Sequence, residues 1–271
     1  MIKLNNAVVP KQYFPDGSQL FNAETFKECD FSWGEVVGFR TIITWNYESD
    51  EEMATLYFLT RHLQEHGAKN IILVLDYIPN ARMDRVKSNV DVFTLKYFAE
   101  FINSLNFAEV NVLDPHSNVS TALIDRVRAR SPRDFIKTAI EKCKPNILFY
   151  PDEGAMKRYA DLVKCDCGRA FGIKTRDWAT GQIKGLEVHG DDVAGKNVLI
   201  IDDICSRGGT FYHSALKLKE LGANNIYLFI THCENTIFEG ELLKDNGLIT
   251  KIYTTDSIFN KSHEKIEVFK I

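Results

Sequence analysis

Apolar positions in this chain gather into short runs rich in β-branched residues, and the stretches between several of them carry apolar positions at helical spacing. Thr41–Trp45, Ile71–Leu75, Val110–Leu113, Ile147–Tyr150, Ala170–Lys174, Val198–Ile201, Ile226–Thr231 and Lys251–Thr255 read as strands. Near-continuous apolar runs are what strands buried on both faces of a parallel sheet look like. Helices are predicted over about Glu51–His66, Val92–Leu105, a segment ending near Lys164, and about Phe211–Leu221. Ser49 or Asp50 can cap the first, acidic residues favour its opening turn, and Gly67 ends it. Strand and helix in regular alternation mean a parallel sheet with right-handed crossovers. The joint His66-Gly67-Ala68-Lys69-Asn70-Ile71 is echoed by Leu221-Gly222-Ala223-Asn224-Asn225-Ile226. Two related α/β halves explain that echo. The charged stretch 125–146, with Pro132 and Pro145, puts a boundary near Ser131, giving domains 1–130 and 131–271. Residues 175–195 have weak periodicity and suit a long mobile loop, and a short tail follows Thr255.

Length and composition add little beyond permission. The 271 residues, 45% hydrophobic and 26% charged, allow one large or two small α/β domains. A net charge of −4 gives no electrostatic case for nucleic acid. Six cysteines are scattered without zinc-site spacing, Cys165 and Cys167 being too close together. Free thiols in a reducing cytoplasm are expected. No signal peptide and no membrane span is expected.

The chemistry concentrates in N-V-L-I-I-D-D-I-C-S-R-G-G-T, residues 197–210. Strand, loop and helix in that order put the loop at the carboxyl edge of an open sheet, where such folds bind ligands. Gly208 and Gly209 let the backbone close around an anion. Loop N–H groups, the Ser206 and Thr210 hydroxyls and the following helix N-terminus can point at a phosphate. Asp202 and Asp203 cannot serve that phosphate, because like charges repel. They suit sugar hydroxyls, or a metal riding on a second phosphate. The stretch asks for a sugar phosphate, and it resembles the phosphoribosyl-pyrophosphate loop of the type I phosphoribosyltransferase fold.

Other strand-end loops supply further polar groups. Arg82, Asp84 and Arg85 form a cation–carboxylate–cation cluster, and His116 follows a strand in Asp114-Pro115-His116-Ser117. Asp152 follows the first strand of the second half. Lys174 and Arg176 open the predicted loop.

Taken in order, these pieces resemble the ribose-phosphate diphosphokinase (phosphoribosyl-pyrophosphate synthetase) family over nearly the whole chain. Phe14-Pro15-Asp16-Gly17-Ser18 is similar to its F-x-D-G-E turn, and Asn80-Ala81-Arg82-Met83-Asp84-Arg85 to its Y-A-R-Q-D-R. Asp114-Pro115-His116-Ser117 is similar to D-L-H-A, Tyr150-Pro151-Asp152-Glu153-Gly154 to S-P-D-x-G, and Lys174-Thr175-Arg176 to K-R-R. The resemblance implies two tandem type I phosphoribosyltransferase-like domains, each a mainly parallel sheet flanked by helices. It implies transfer of the β,γ-diphosphoryl group of ATP to the 1-hydroxyl of ribose 5-phosphate, with Mg²⁺. Phe14, Asp16, Arg82, Asp84 and His116 would serve ATP, and His116 and Asp152 would help hold Mg²⁺. Asp202 and Asp203 would meet the ribose hydroxyls, and Ser206 to Thr210 the 5-phosphate. Lys174 and Arg176 would close over the transferring group. The family also implies a homo-oligomer, with the F-x-D-G-E turn completing a neighbour's ATP site.

Three departures bear on specificity. Met83 and Ser18 stand where the family has Gln and Glu, near the expected adenine. Ser206-Arg207 replaces an Asp-Thr pair, removing an acid and adding a forked cation that can reach a second phosphate. That suggests an acceptor with a diphosphate at its 5-position, such as ADP-ribose, giving ADP-ribose 1-diphosphate in NAD salvage. A phosphoribosyltransferase or a non-catalytic regulatory paralogue are the remaining alternatives.

Overall fold

The computed structural model describes residues 1–22, 40–176, 183–244 and 247–271, excepting the side chains of 174–176, 183 and 184. The chain divides into two compact units, Met1–Ser131 and Pro132–Ile271.

Unit 1 opens with β1 (Ile2–Leu4), β2 (Ala7–Val8), β3 (Gln12–Tyr13) and β4 (Gln19–Leu20). Then come β5 (Thr41–Trp45), α1 (Glu52–Glu65), β6 (Ile71–Leu75), α2 (Thr94–Ser104), β7 (Glu109–Leu113), α3 (Asn118–Leu123) and β8 (Val127–Arg130). Its main sheet runs β2-β1-β5-β6-β7-β8. The β5-β6-β7-β8 pairs are parallel and the two β1 pairs antiparallel. α1 buries Leu56, Leu59 and Leu63, and α2 buries Leu95, Phe98 and Ile102, all in one core with Ile43, Leu73, Leu75 and Val112.

Neither Ser49 nor Asp50 caps α1 with its side chain. Their carbonyls accept instead from Glu52 and Met53 N–H, while the Asp50 carboxylate accepts from the Tyr47 hydroxyl at 2.9 Å. Glu52, in the first turn, is fully buried. It accepts from Trp45 Nε1 at 2.8 Å, Lys11 Nζ at 2.7 Å and Glu48 N at 2.9 Å. Burial penalises its charge, but these donors and the Met1 ammonium outweigh that and hold the carboxyl down at about 2.

Unit 2 contains α4 (Arg133–Cys143), β9 (Ile147–Tyr150), α5 (Glu153–Tyr159), β10 (Gly168–Arg176), β11 (Ile183–Gly190) and β12 (Val198–Cys205). α6 (Gly209–Glu220), β13 (Ile226–Cys233), β14 (Lys251–Thr255) and β15 (Ile266–Phe269) complete it. The sheet order is β11-β10-β9-β12-β13-β14-β15, parallel except for β10–β11. β12 is thus the central strand, and its residues alternate between two cores. Val198 and Ile200 join Phe211, Ala215 and Leu218 of α6 on one face. Leu199 and Ile201 join Ile136, Ala139, Ala155 and Tyr159 of α4 and α5 on the other.

The echoed joints have matching geometry. Gly67 and Gly222 take φ of 89° and 86°. Ala68 N donates to Leu63 O and Ala223 N to Leu218 O, at 3.0 and 2.9 Å. Each is a helix end closed through a left-handed glycine that feeds the next strand.

Two expectations need correcting. Ile183–Gly190 is a strand, so the predicted loop is mostly replaced by an antiparallel edge. An edge strand buries little, and Glu187, His189 and two glycines hide its period. Residues 177–182 lie outside the described residues. The charged stretch 125–146 holds β8 and α4, and α4 buries Ile136, Ala139 and Cys143. The tail after Thr255 adds β15 beside β14.

Candidate active site

β12 does not end at Ile201. It pairs with β13 as far as Cys205, so Asp202 and Asp203 lie inside the strand at its carboxyl end. Asp203 is 5% exposed. Its Oδ2 accepts from Arg158 Nη1 at 2.9 Å and its Oδ1 from Ile204 N at 2.7 Å. Asp202 accepts from Asp203 N at 2.9 Å. Burial first, then the charge of Asp203, with Asp152 adding, push the Asp202 carboxyl well above the usual carboxylate range. Arg158 thus pairs with Asp203, while Asp202 and Asp152 add negative charge nearby. Such a group favours a proton, sugar hydroxyls or a metal ion at its mouth.

Asp152 follows β9, the neighbour of β12, and caps α5 by accepting from Ala155 N at 3.0 Å. α5 also carries Arg158, which sequence reasoning missed. Its place six residues after Asp152, on the helix that Asp152 caps, was a usable signal, since that helix starts at the same sheet edge.

After Cys205 the chain turns through Ser206 and Arg207 into α6. Gly208 has φ of 76°, and an added Cβ there would overlap the Leu242 side chain. Gly209 has the opposite surroundings, with nothing within 4 Å of an added Cβ. The space beside Gly209, next to the first N–H groups of α6, is where an anion would enter. Ser206 does not simply face that space, because its hydroxyl shares a hydrogen bond with Thr236 Oγ1 at 3.1 Å. Nor does Arg207 simply add charge to it. Its Nε and Nη2 both lie 2.9 Å from Glu239 Oε2.

In unit 1, Asp84 is buried and accepts from Arg85 Nε at 2.9 Å. Burial opposes its charge, yet Arg85, the Ser117 hydroxyl and nearby His116 outweigh this and lower its carboxyl. The structure therefore brings Asp84, Arg85, Ser117 and His116 together. Arg82 is exposed on the same loop. Asp76, just past β6, is buried and pairs with Arg130 at the end of β8. That pair was not foreseen, because its partners are 54 residues apart.

Phe14–Ser18 forms a tight turn, with Gly17 at φ 85°. Phe14 N donates to Ser18 O at 2.8 Å, and Asp16 Oδ1 accepts from Ser18 N and Oγ at 2.9 and 2.7 Å. Phe14 is half exposed. Lys174 and Arg176 lie near the end of β10, where a register shift against β11 separates Thr175 from Arg176.

Among the described residues, no group of three or more His, Cys, Asp or Glu side chains is arranged to hold a metal ion. Five described cysteines are free thiols. Among the described residues no helix is long and apolar enough to cross a membrane.

No family model matches the chain. The ribose-phosphate pyrophosphokinase of Thermococcus kodakarensis is 27% identical over 218 residues, covering 78% of this chain and 75% of the relative. That of Thermoplasma volcanium is 24% identical over 268 residues, covering 96% and 87%. Phosphoribosylpyrophosphate synthetase from Mycobacterium smegmatis superposes with a TM-score of 0.77 at 18% identity, over 98% of this chain and 88% of that one. In sequence this chain is similar to ribose-phosphate pyrophosphokinases, and its two mainly parallel, helix-flanked sheets have the fold of phosphoribosylpyrophosphate synthetase.

Proposed function

We propose that this enzyme transfers the β,γ-diphosphoryl group of ATP to the 1-hydroxyl of ribose 5-phosphate, releasing AMP. The observation that carries the reading is the end of β12. Carboxylates sit at one side of a loop whose other side is an open glycine at a helix N-terminus. That spacing of acid and anion site suits the two ends of a pentose phosphate.

In the reaction the 1-hydroxyl oxygen bonds to the β-phosphorus and loses its proton. The bond from that phosphorus to the α,β-bridging oxygen breaks, and AMP leaves with this oxygen. Asp202 and Asp203 would hold the ribose hydroxyls, with Arg158 fixing Asp203. Gly208, Gly209 and Thr210 would hold the 5-phosphate. In the first unit, Arg82, Asp84 and His116 would serve ATP, with Phe14 and Asp16 supplied from a neighbouring copy. Lys174 and Arg176 would neutralise the transferring group, a role in which one cation is worth on the order of 10³–10⁵ in rate.

Asp152 is an oxygen donor of the kind Mg²⁺ takes and would contribute to holding it. Mg²⁺ is usually bound through one or two carboxylates plus substrate phosphates, so a preformed protein cage is not needed. When bound, it would offset charge on the triphosphate.

A second reading, an acceptor of the ADP-ribose type, is favoured by one observation. Arg207 sits on the loop after β12 with only an exposed carboxylate, Glu239, as its ion-pair partner among the described residues. An acceptor screen with ATP and Mg²⁺, reading AMP, tests both. A phosphoribosyltransferase or a regulatory paralogue would form no acceptor-dependent AMP.

A further inference from the structure

One wall of the phosphate loop is a strap, residues 234–242, left unused by the reading above. Gly240 packs so closely on the Arg207 carbonyl that an added Cβ would overlap it. A short 3₁₀ helix, Asn235–Glu239, places Phe238 and Glu239 on this strap. Glu239 holds Arg207 in an exposed pair, the side chains being 72% and 54% accessible. Such pairs contribute little, so Arg207 can exchange Glu239 for another anion at small cost.

Phe238 is 39% exposed although it is large and apolar. Its ring stacks on buried Phe259, with centroids 6.2 Å apart and planes 17° apart. His263 meets it edge-on, and Lys261 Nζ stands 5.2 Å from its centroid. The ring is anchored from behind and partly exposed, and the cation over it is an exposed lysine on a flexible stem, so a nucleobase can stack there by displacing the lysine.

We infer that this strap is the outer half of the acceptor site. Phe238 takes a base, and Arg207, released from Glu239, takes the second phosphate of a nucleoside diphosphate joined to the acceptor ribose. Lys261 adds positive charge beside that arm. The inference rests on the second reading of the function.

Titration calorimetry on the intact chain, with ADP-ribose and with ribose 5-phosphate and no ATP, tests it. ADP-ribose should bind at least about tenfold more tightly, the scale of one stacked base. Phe238→Ala should remove that advantage and leave ribose 5-phosphate within about twofold. Phe238→Leu, which still covers Phe259 but lacks a π face, should do the same and guards against a folding defect. Equal binding of the two ligands by the unaltered chain, or equal weakening of both by Phe238→Leu, would overturn the inference. A binding preference without AMP formation from either acceptor leaves the strap standing and removes the diphosphokinase reading. AMP formation from ribose 5-phosphate alone, with ADP-ribose unbound, does the reverse.

Discussion

Gly208 and Gly209 are adjacent, yet a methyl group should act on them in opposite ways. At Gly208, φ of 76° is left-handed, and a Cβ would press into Leu242. The backbone strain is about 1–2 kcal/mol, and overpacking adds roughly 1–3 kcal/mol. Gly208→Ala should therefore lose about 2–5 kcal/mol of stability, or roughly 6–15 °C in the melting temperature of its unit. At Gly209 the backbone is helical and the added Cβ meets nothing within 4 Å. Gly209→Ala should be neutral or stabilising, by up to about 1 kcal/mol. If the open space beside Gly209 is the phosphate site, that methyl enters it and separates the anion from a helix N–H. Hydrogen bonds to charged groups are worth about 1.5–3 kcal/mol, so KM for the sugar phosphate should rise about 10- to 150-fold. Thermal melts and acceptor-dependent AMP formation measure the two effects on the same preparations. A stable Gly209→Ala protein whose acceptor KM stays within about twofold of the parent would refute the cradle.

Further outcomes follow from other groups. Arg158→Met leaves the Asp203 carboxylate buried without its ion pair and should cost about 3–5 kcal/mol in denaturant unfolding; Arg158→Met with Asp203→Asn should recover most of it, and no recovery would place the damage elsewhere. Glu52 sits at about 2 in the folded state. Its unfolded value is about 4.3, so its contribution of roughly 3 kcal/mol is present above about pH 5 and fades as pH falls towards 2. Stability measured across that window should fall less steeply in Glu52→Gln, and an unchanged acid limb would contradict the assignment. Lys174→Ala should lose turnover far more than ATP affinity, and equal losses in both would exclude a role confined to the transferring group.

Strands in the interior of the two sheets were the most legible in the sequence. β5, β6 and β14 follow their apolar runs residue for residue, since tertiary context had nothing to override. The edge strand β11 was hidden because one face is wet and glycines dilute the pattern. The cap of α1 was misplaced because Glu52 is drawn inward to Trp45 and Lys11, a tertiary demand that no local rule contains. Among the candidate site residues and the ion pairs of the two units, Asp202, Asp203 and the glycines were legible as a contiguous motif. Arg158, Asp76 and Arg130 were not, since each pair closes across 45 or 54 residues. Ser206 and Arg207 were read as facing the phosphate, but Thr236 and Glu239 engage them from a strap 30 or more residues away.

The central claim is that a ribose phosphate held at the end of β12 accepts a diphosphoryl group from ATP. The most direct measurement is AMP released from ATP and Mg²⁺ with and without ribose 5-phosphate or ADP-ribose, the 1-diphosphate product being identified by phosphorus NMR. The account predicts AMP and product in equal amounts, only when an acceptor is present. ADP with inorganic phosphate, or AMP formed regardless of acceptor, would contradict it.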